Sequence, residues 1–331
     1  RAILNGDEVP RIIMGEDVPI EKIPALCGPT THGLTEISRG CGRGCKFCTP
    51  TLQKIRHKPL DQILRDVATN VKGGNPSALL HSEDTLRYGV TTIRADPEKV
   101  MRLFTRTAAV DGVTAIGLSH IALATAYHHP DLVREASELF ATLPDQIYTG
   151  AQTGIETGSP RLMAEYMRGK SAPAPPEQWP EIVVQSLGML SDLNWALACT
   201  LIVGLPGETE DDVLKTIDLI DEISGTKNVL IVPMNFVSMG PSLLSVEESF
   251  TVEKMTPAHW TLLGKCMEMN VRTARQLKGM FVENNPFLRL LGNIAMDRLI
   301  QGAGRFVEVM KRGEPPREYT SDEKSYLNPV L

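Results

Sequence analysis

Half of the 6 cysteines in this 331-residue chain fall within the stretch TEISRGCGRGCKFCTP, residues 35–50. Cys41, Cys45 and Cys48 are spaced C-x3-C-x2-C, with Gly40, Gly42 and Gly44 around them. Thiols gathered so closely make either a metal site with three protein ligands or a redox or disulfide cluster. No signal-peptide pattern opens the sequence, so a reducing cytoplasm is the expected compartment, where clustered cysteines favour metal over disulfide. Three ligands fall short of a closed zinc site, which normally takes four from Cys or His. The nearest histidines, His32 and His57, lie one on each side at awkward distance. A three-cysteine loop suits a cubane iron–sulfur cluster with one iron left open for a small molecule. The glycines let the backbone wrap closely around such a group. A structural zinc loop is the plainer alternative.

Such a loop needs a scaffold, and the pattern from residue 34 to about 236 supplies one. Strand candidates LTEIS (34–38), SALLHSED (77–84), VTAIGLSHI (113–121), DQIYTGAQTGIE (145–156), WALACTLIVG (195–204) and NVLIVPMNF (228–236) alternate with helical segments. The helical segments include residues 60–74, 96–110, 129–143 and 208–225, the last with a capping box from Thr209 to Asp212. Six or more β–α units predict a parallel sheet, either open or curved into a partial barrel. SAPAPPEQWP (171–180) carries four prolines and reads as a surface loop. Beyond residue 250 the pattern turns helical, over 256–277 and 287–312, with a break expected near Gly302–Gly304. The division is a linker over 1–33, a catalytic unit over 34–245 and a mainly helical domain over 246–331.

The bulk numbers narrow the function classes. Hydrophobic content of 42% and charged content of 22% are those of a globular protein. A net charge of −6 exerts no global pull toward nucleic acid or anionic lipid, so neither partner is expected. The most apolar window, WALACTLIVGL (195–205), is well short of the ~18 residues of a membrane span and reads as a buried strand. The sequence opens at Arg1 without a methionine, which leaves room for residues upstream.

The cysteine spacing, Phe47 just before Cys48 and the strand feeding the loop resemble the radical S-adenosylmethionine (radical SAM) superfamily. LIVGLPGETEDDV (201–213) looks like that family's fifth strand and turn, and AQTGIETGSPRLMAEYMRGK (151–170) like its fourth. The resemblance implies an α/β fold, a partial (β/α)6 barrel of parallel strands with a C-terminal helical extension. It implies that Cys41, Cys45 and Cys48 hold a [4Fe–4S] cluster whose fourth iron binds SAM through its amino and carboxylate groups. An electron, from a donor such as ferredoxin or flavodoxin, then cleaves the sulfonium and yields a 5′-deoxyadenosyl radical.

The same resemblance suggests roles for residues at strand ends. Glu156 closes an apolar strand, where a carboxylate is costly unless solvated or paired; a SAM ribose would satisfy it, and so would an arginine. HSED (81–84) stands where the family often shows Gly-Gly-Glu, so Ser82 and either Glu83 or Asp84 face the SAM amino group. Ser119 and His120 end the third strand at the same mouth, with SAM or substrate in reach. Val203 is an apolar wall near the adenine, and Glu208 marks the start of a helix.

Reaction type rests on weaker signals. VPIEKIPALCGP (18–29) and IRHKPLDQILRDV (55–67) look like the class whose linker joins an upstream cobalamin domain to the barrel. That class implies cobalamin and C-methylation of an unactivated carbon in a peptide, a protein side chain or a small molecule, although residues 1–33 read as a linker and not as a cobalamin domain. The rival is a methylthiotransferase or another cobalamin-independent, RNA-modifying radical SAM enzyme. A non-catalytic metal-binding interaction protein is the alternative from another class.

Overall fold

In the computed structural model, which describes residues 3–6, 8, 18–277 and 286–316, the predicted strands all form, each trimmed by a few residues. They are β1 (Leu34–Glu36), β2 (Ser38–Arg39), β3 (Arg56–His57), β4 (Ser77–His81), β5 (Ala115–Leu118), β6 (Thr149–Glu156), β7 (Trp195–Val203) and β8 (Val229–Asn235). The helices are α1 (Leu60–Lys72), α2 (Pro97–Ala108), α3 (Leu123–His128), α4 (Pro130–Phe140), α5 (Pro160–Tyr166), α6 (Arg168–Ser171), α7 (Trp179–Asp192), α8 (Glu210–Ile223), α9 (Pro257–Leu277) and α10 (Pro286–Lys311).

Six strands are parallel, in the sheets β1-β4-β5 and β6-β7-β8. The sheets are stitched where His120 bridges Gln152: the Gln152 N–H donates to Ser119 O at 2.9 Å and the Ile121 N–H to Gln152 O at 3.0 Å. The strand order therefore follows the chain, while the hydrogen bonding forms two linked sheets and no closed ring among the described residues. Strands β2 and β3 make a short antiparallel pair that brackets the cysteine loop.

Period-two alternation sorts the strand residues onto two faces. One face is buried throughout: Thr35, Ala78, Leu80, Ile116, Leu118, Ala151, Ile155, Leu197, Cys199, Leu201, Val229 and Ile231. The helices cover it. The other face carries Ala115, Gly117, Gly150, Gln152, Gly154, Ala196, Ala198 and Thr200, all partly or fully exposed. On β8 that face shows Val232 and Met234 to solvent. A sheet with small and polar residues on its open face leaves room for something other than packing.

Local chemistry sets the helix starts. Asp96 accepts the Lys99 N–H ahead of Pro97, and Thr209 with Asp212 forms the capping box that the sequence predicts. The proline-rich stretch is not all loop, because Trp179 and Pro180 open α7. Proline fits the first turn, where its missing N–H costs nothing, and buried Trp179 donates its Nε1–H to Ile155 O and Thr157 O at 3.1 Å. The break expected at Gly302–Gly304 does not occur: α10 runs through it. The close approach falls instead at Gly264 of α9, where a Cβ would lie 2.7 Å from the Lys311 nitrogen.

Two polar helix faces tie the ends of the chain to this frame. Helix α1 turns Gln62, Asp66 and Asn70 toward the linker, bonding Ile23 O, the Leu26 N–H and the Thr30 N–H at 2.7–2.9 Å. Helix α9 places the Asn270 amide against both the N–H and the C=O of Ile231, and the Thr273 hydroxyl against Val229 O. The β8 edge opposite β7 is thereby covered by side chains.

Candidate functional site

The cysteine loop leaves β2 through three glycines in left-handed conformation, with φ of 81° at Gly40, 73° at Gly42 and 80° at Gly44. At Gly40 a Cβ would fall 2.6 Å from Lys54 O, so only glycine fits. The loop is anchored to α5, where the Lys46 N–H donates to Tyr166 O at 2.8 Å and its ammonium lies 5.5 Å from the Tyr166 ring centroid. Gly169 lets α6 dock on it: a Cβ there would stand 1.8 Å from Arg43 O.

All three thiols are free of disulfides; Cys45 is buried and Cys41 and Cys48 are half-buried. Burial pushes each thiol pKa up, that of Cys48 to about 11 with help from Cys45 and Glu83. Thiols so costly to ionise alone become good ligands once a metal's charge offsets the burial. No group of three His, Cys, Asp or Glu side chains among the described residues is gathered tightly enough for a single ion. A cubane asks for a wider spread, since each thiolate takes its own iron. His57 is no fourth ligand, because its ring is engaged by Ser38 Oγ at 2.7 Å and Val90 O at 2.8 Å. The donor set and the glycine-wrapped loop fit a [4Fe–4S] cluster.

Glu156 has the left-handed φ of 64° and turns its buried carboxylate back over Gly154. Its partners are Lys170 Nζ at 3.0 Å and the Thr200 hydroxyl at 3.1 Å, so the residue paired with it is a lysine rather than an arginine. Gly154 makes this possible, since a Cβ there would sit 1.8 Å from Glu156 Oε1 and 2.5 Å from Lys170 Nζ. Burial opposes the Lys170 charge, but Glu156, with Cys45 nearby, outweighs it and raises the lysine pKa. The ion pair thus lies beside Cys45, over the open face of β6.

At the neighbouring strand ends the two candidate carboxylates part company. Asp84 is buried and fully used: Oδ2 accepts from Arg43 at 2.8 Å and the Thr125 hydroxyl at 2.7 Å, and Oδ1 from the Ala122 N–H at 3.2 Å. Glu83 is half-buried, close enough to act on Cys48 and His120, and none of the described residues hydrogen-bonds its carboxylate. Ser82 is buried, with its N–H on Ser119 Oγ. Ser119 also meets His81 Nδ1 at 3.0 Å and His120 Nδ1 at 3.1 Å.

Val203 lies apart from this group: it is 1% exposed on the covered face of β7, and the open face at that level carries Ile202. Phe47, next to Cys48 in the loop, is half-buried and packs against the core. Glu208 does more than precede α8: it accepts the Gly204 N–H at 2.7 Å and meets His259 Nε2 of α9 at 3.1 Å. The sequence reading passed over Arg43, Lys170 and His81. Each sits inside a quoted motif, but only its distant partners reveal what it does.

A family description for the radical SAM superfamily matches residues 35–220. A tRNA-2-methylthio-N(6)-dimethylallyladenosine synthase of Desulfosudis oleivorans is 27% identical over 66% of this chain and 44% of its own length. The enzyme of the same name from a Sulfurihydrogenibium species is 30% identical over 62% of this chain and 44% of its own. The ribosomal protein uS12 methylthiotransferase RimO of Thermotoga petrophila is 26% identical over 59% of this chain and 43% of its own. The chain therefore spans less than half the length of these relatives. The solved radical SAM methyltransferase TsrM of Kitasatospora setae overlaps 65% of this chain and 38% of its own, at 13% identity and a TM-score of 0.47. With more than half of the chain matched, and three thiols, their glycines and a strand-end carboxylate assembled on parallel strands, the chain belongs to the radical SAM superfamily.

Proposed function

We propose that this chain is the radical-generating unit of a group-transferring radical SAM enzyme of the methylthiotransferase kind. The observation that carries the reading is the position of the Glu156–Lys170 pair beside Cys45, over an open sheet face built from glycine and alanine. When bound, a [4Fe–4S] cluster and SAM supply the reductive cleavage that releases a 5′-deoxyadenosyl radical. The chain's own residues prepare that event. Cys41, Cys45 and Cys48 hold three irons. Glu83, unbonded within the described protein, accepts from the SAM ammonium group, while Asp84 fixes the cysteine loop through Arg43. Glu156 receives ribose hydroxyls, and Lys170 balances its charge. Gly117, Gly150, Ala196 and Ala198 leave space for substrate on the face of a partial (β/α)6 barrel spanning residues 34–245, with 1–33 as linker and 246–331 as a mainly helical domain.

Cobalamin-dependent C-methylation ranks behind this reading. That expectation rests on the linker pattern of residues 18–29 and on IRHKPLDQILRDV, where Lys58 is buried against Asp66 at 2.6 Å and His57 bonds Ser38 and Val90. The relatives named for methylthiolation support the rival instead. Their names also carry a tRNA and a ribosomal protein, which removes the ground for excluding nucleic acid on net charge alone. An electron donor is required in either case. No helix among the described residues is long and apolar enough to cross a membrane.

Anaerobic reconstitution with iron and sulfide, then EPR with and without SAM, tests the reading. A cubane signal perturbed by SAM, with 5′-deoxyadenosine formed and lost in Cys45→Ala, supports it. Stoichiometric zinc with no SAM effect overturns it.

A further inference from the structure

Arg87 closes the short 3-10 turn Thr85–Arg87 that follows Asp84, and it is 1% exposed. Among the described residues its guanidinium bonds only backbone carbonyls: Nε–H donates to Thr92 O at 2.9 Å and Nη1–H to Cys41 O at 3.3 Å. No carboxylate among those residues pairs with it. A guanidinium does not shed its proton inside a protein, and a buried charge is costly unless paired. Carbonyl dipoles solvate the Arg87 charge without neutralising it.

The other charges that act on the three thiols are matched. Arg43 is paired with Asp84 and Lys170 with Glu156. Glu83, which acts on Cys48, is the proposed acceptor for the SAM ammonium group. Arg87 is the charge left over. It acts on Cys41 together with Arg43 and Asp84, so two guanidiniums share one carboxylate there. Burial and then repulsion by Arg43 oppose its charge, and the attraction of Asp84 and Cys41 does not make up the difference. A negative group at Cys41 would complete the balance. A [4Fe–4S] core on three thiolates is such a group, net negative when oxidised and more so after taking an electron. A fixed cation in a poorly polarisable surrounding favours the more negative of those two states.

We propose that Arg87 is the built-in countercharge of the cluster held by Cys41, Cys45 and Cys48, and that it raises the potential at which the cluster is reduced. One electron leaves the donor, which is oxidised, and enters the cluster, which is reduced; Arg87 keeps its proton throughout. The hydrogen bond to Cys41 O fixes where the charge sits. The proposal rests on the radical SAM reading, since it needs the cluster.

Redox titration of the reconstituted full chain without SAM, followed by EPR of the reduced cluster, reads this potential directly. Reduction should become at least tenfold less favourable in Arg87→Met and Arg87→Gln, a drop of about 59 mV or more for a one-electron couple. Arg87→Lys, which keeps the charge, should stay near the wild type. A wild-type potential in a fully loaded neutral variant overturns the proposal. So does an equal drop in Arg87→Lys, which would make shape rather than charge the cause. Urea unfolding of the iron-free chain separates a folding role: neutral variants that no longer fold without iron would assign Arg87 to the fold and overturn the proposal too. A wild-type chain that takes zinc and forms no cubane sinks the radical SAM reading and the proposal with it, whereas a cubane whose potential ignores Arg87 sinks the proposal alone.

Discussion

Arg43, between the first two cysteines, donates to Asp84 Oδ2 at 2.8 Å, and both side chains are almost fully buried. The same guanidinium reaches the Thr125 hydroxyl at 2.7 Å and Gly169 O at 3.1 Å. One cation thus ties the cysteine loop to the end of β4, to α3 and to α6. Removing one member of a buried pair strands the other, at a cost of about 3–5 kcal/mol. Asp84→Ala should therefore lower the urea midpoint of unfolding strongly and reduce iron loading. If Asp84→Ala were as stable as the wild type, the loop would have to be held by something other than this pair.

A single methyl group separates two roles at β6. In Gly154→Ala the new Cβ must displace the Glu156 carboxylate and the Lys170 ammonium, which supply the three atoms nearest to it. Iron and sulfide should load as in the wild type, while the SAM-dependent change in the EPR spectrum is lost or weakened by an order of magnitude. Glu156→Gln should weaken it less, since the amide still fills the same space. Full SAM response in Gly154→Ala would mean that the pair has no part in SAM binding.

Much of this site was legible from residue types, and the reason is local. The thiol spacing, the strand-ending Glu156 and the Thr209 cap each depend on neighbours within a few positions. What escaped depends on distance along the chain. Lys170 is recognisable only when α6 returns to β6, and Arg43 only when residues 84, 125 and 169 converge on it. The choice between Glu83 and Asp84 was open for the same reason, because adjacent carboxylates differ only in what the fold brings to them. Helices α3 and α6 were missed because runs of 6 and 4 residues are too short to show a periodicity, and α7, although 14 residues long, was passed over behind the prolines that precede it.

His57 gives a pH dependence with a definite sign. Val90 O can only accept, so Nε2 carries the proton and Nδ1 accepts from the Ser38 hydroxyl. Burial holds the folded-state pKa below the ordinary histidine value. A depressed folded pKa means that the unfolded chain binds the proton more readily. The stabilisation is therefore full above the unfolded pKa of about 6.5 and is lost as pH falls toward the folded value. Urea unfolding of His57→Gln between pH 7.5 and 5 should show a shallower acid loss than the wild type. An identical slope in both would assign the loss to other groups.

The C-terminal helices belong to the frame, and Asn270 tests how firmly. Ile231 lies on the last strand, where a free edge would leave buried N–H and C=O groups without partners. Asn270 supplies an acceptor at 2.7 Å and a donor at 2.6 Å to that one residue, and Thr273 a donor to Val229 O at 2.7 Å. An unsatisfied buried group costs about 1–3 kcal/mol, so Asn270→Leu, which strands two, should destabilise more than Thr273→Val, which strands one. Hydrogen exchange should rise across residues 229–235 in Asn270→Leu and leave β1 unaffected. Equal protection of β8 in both variants would show that apolar packing, rather than these side-chain bonds, holds α9 against the sheet.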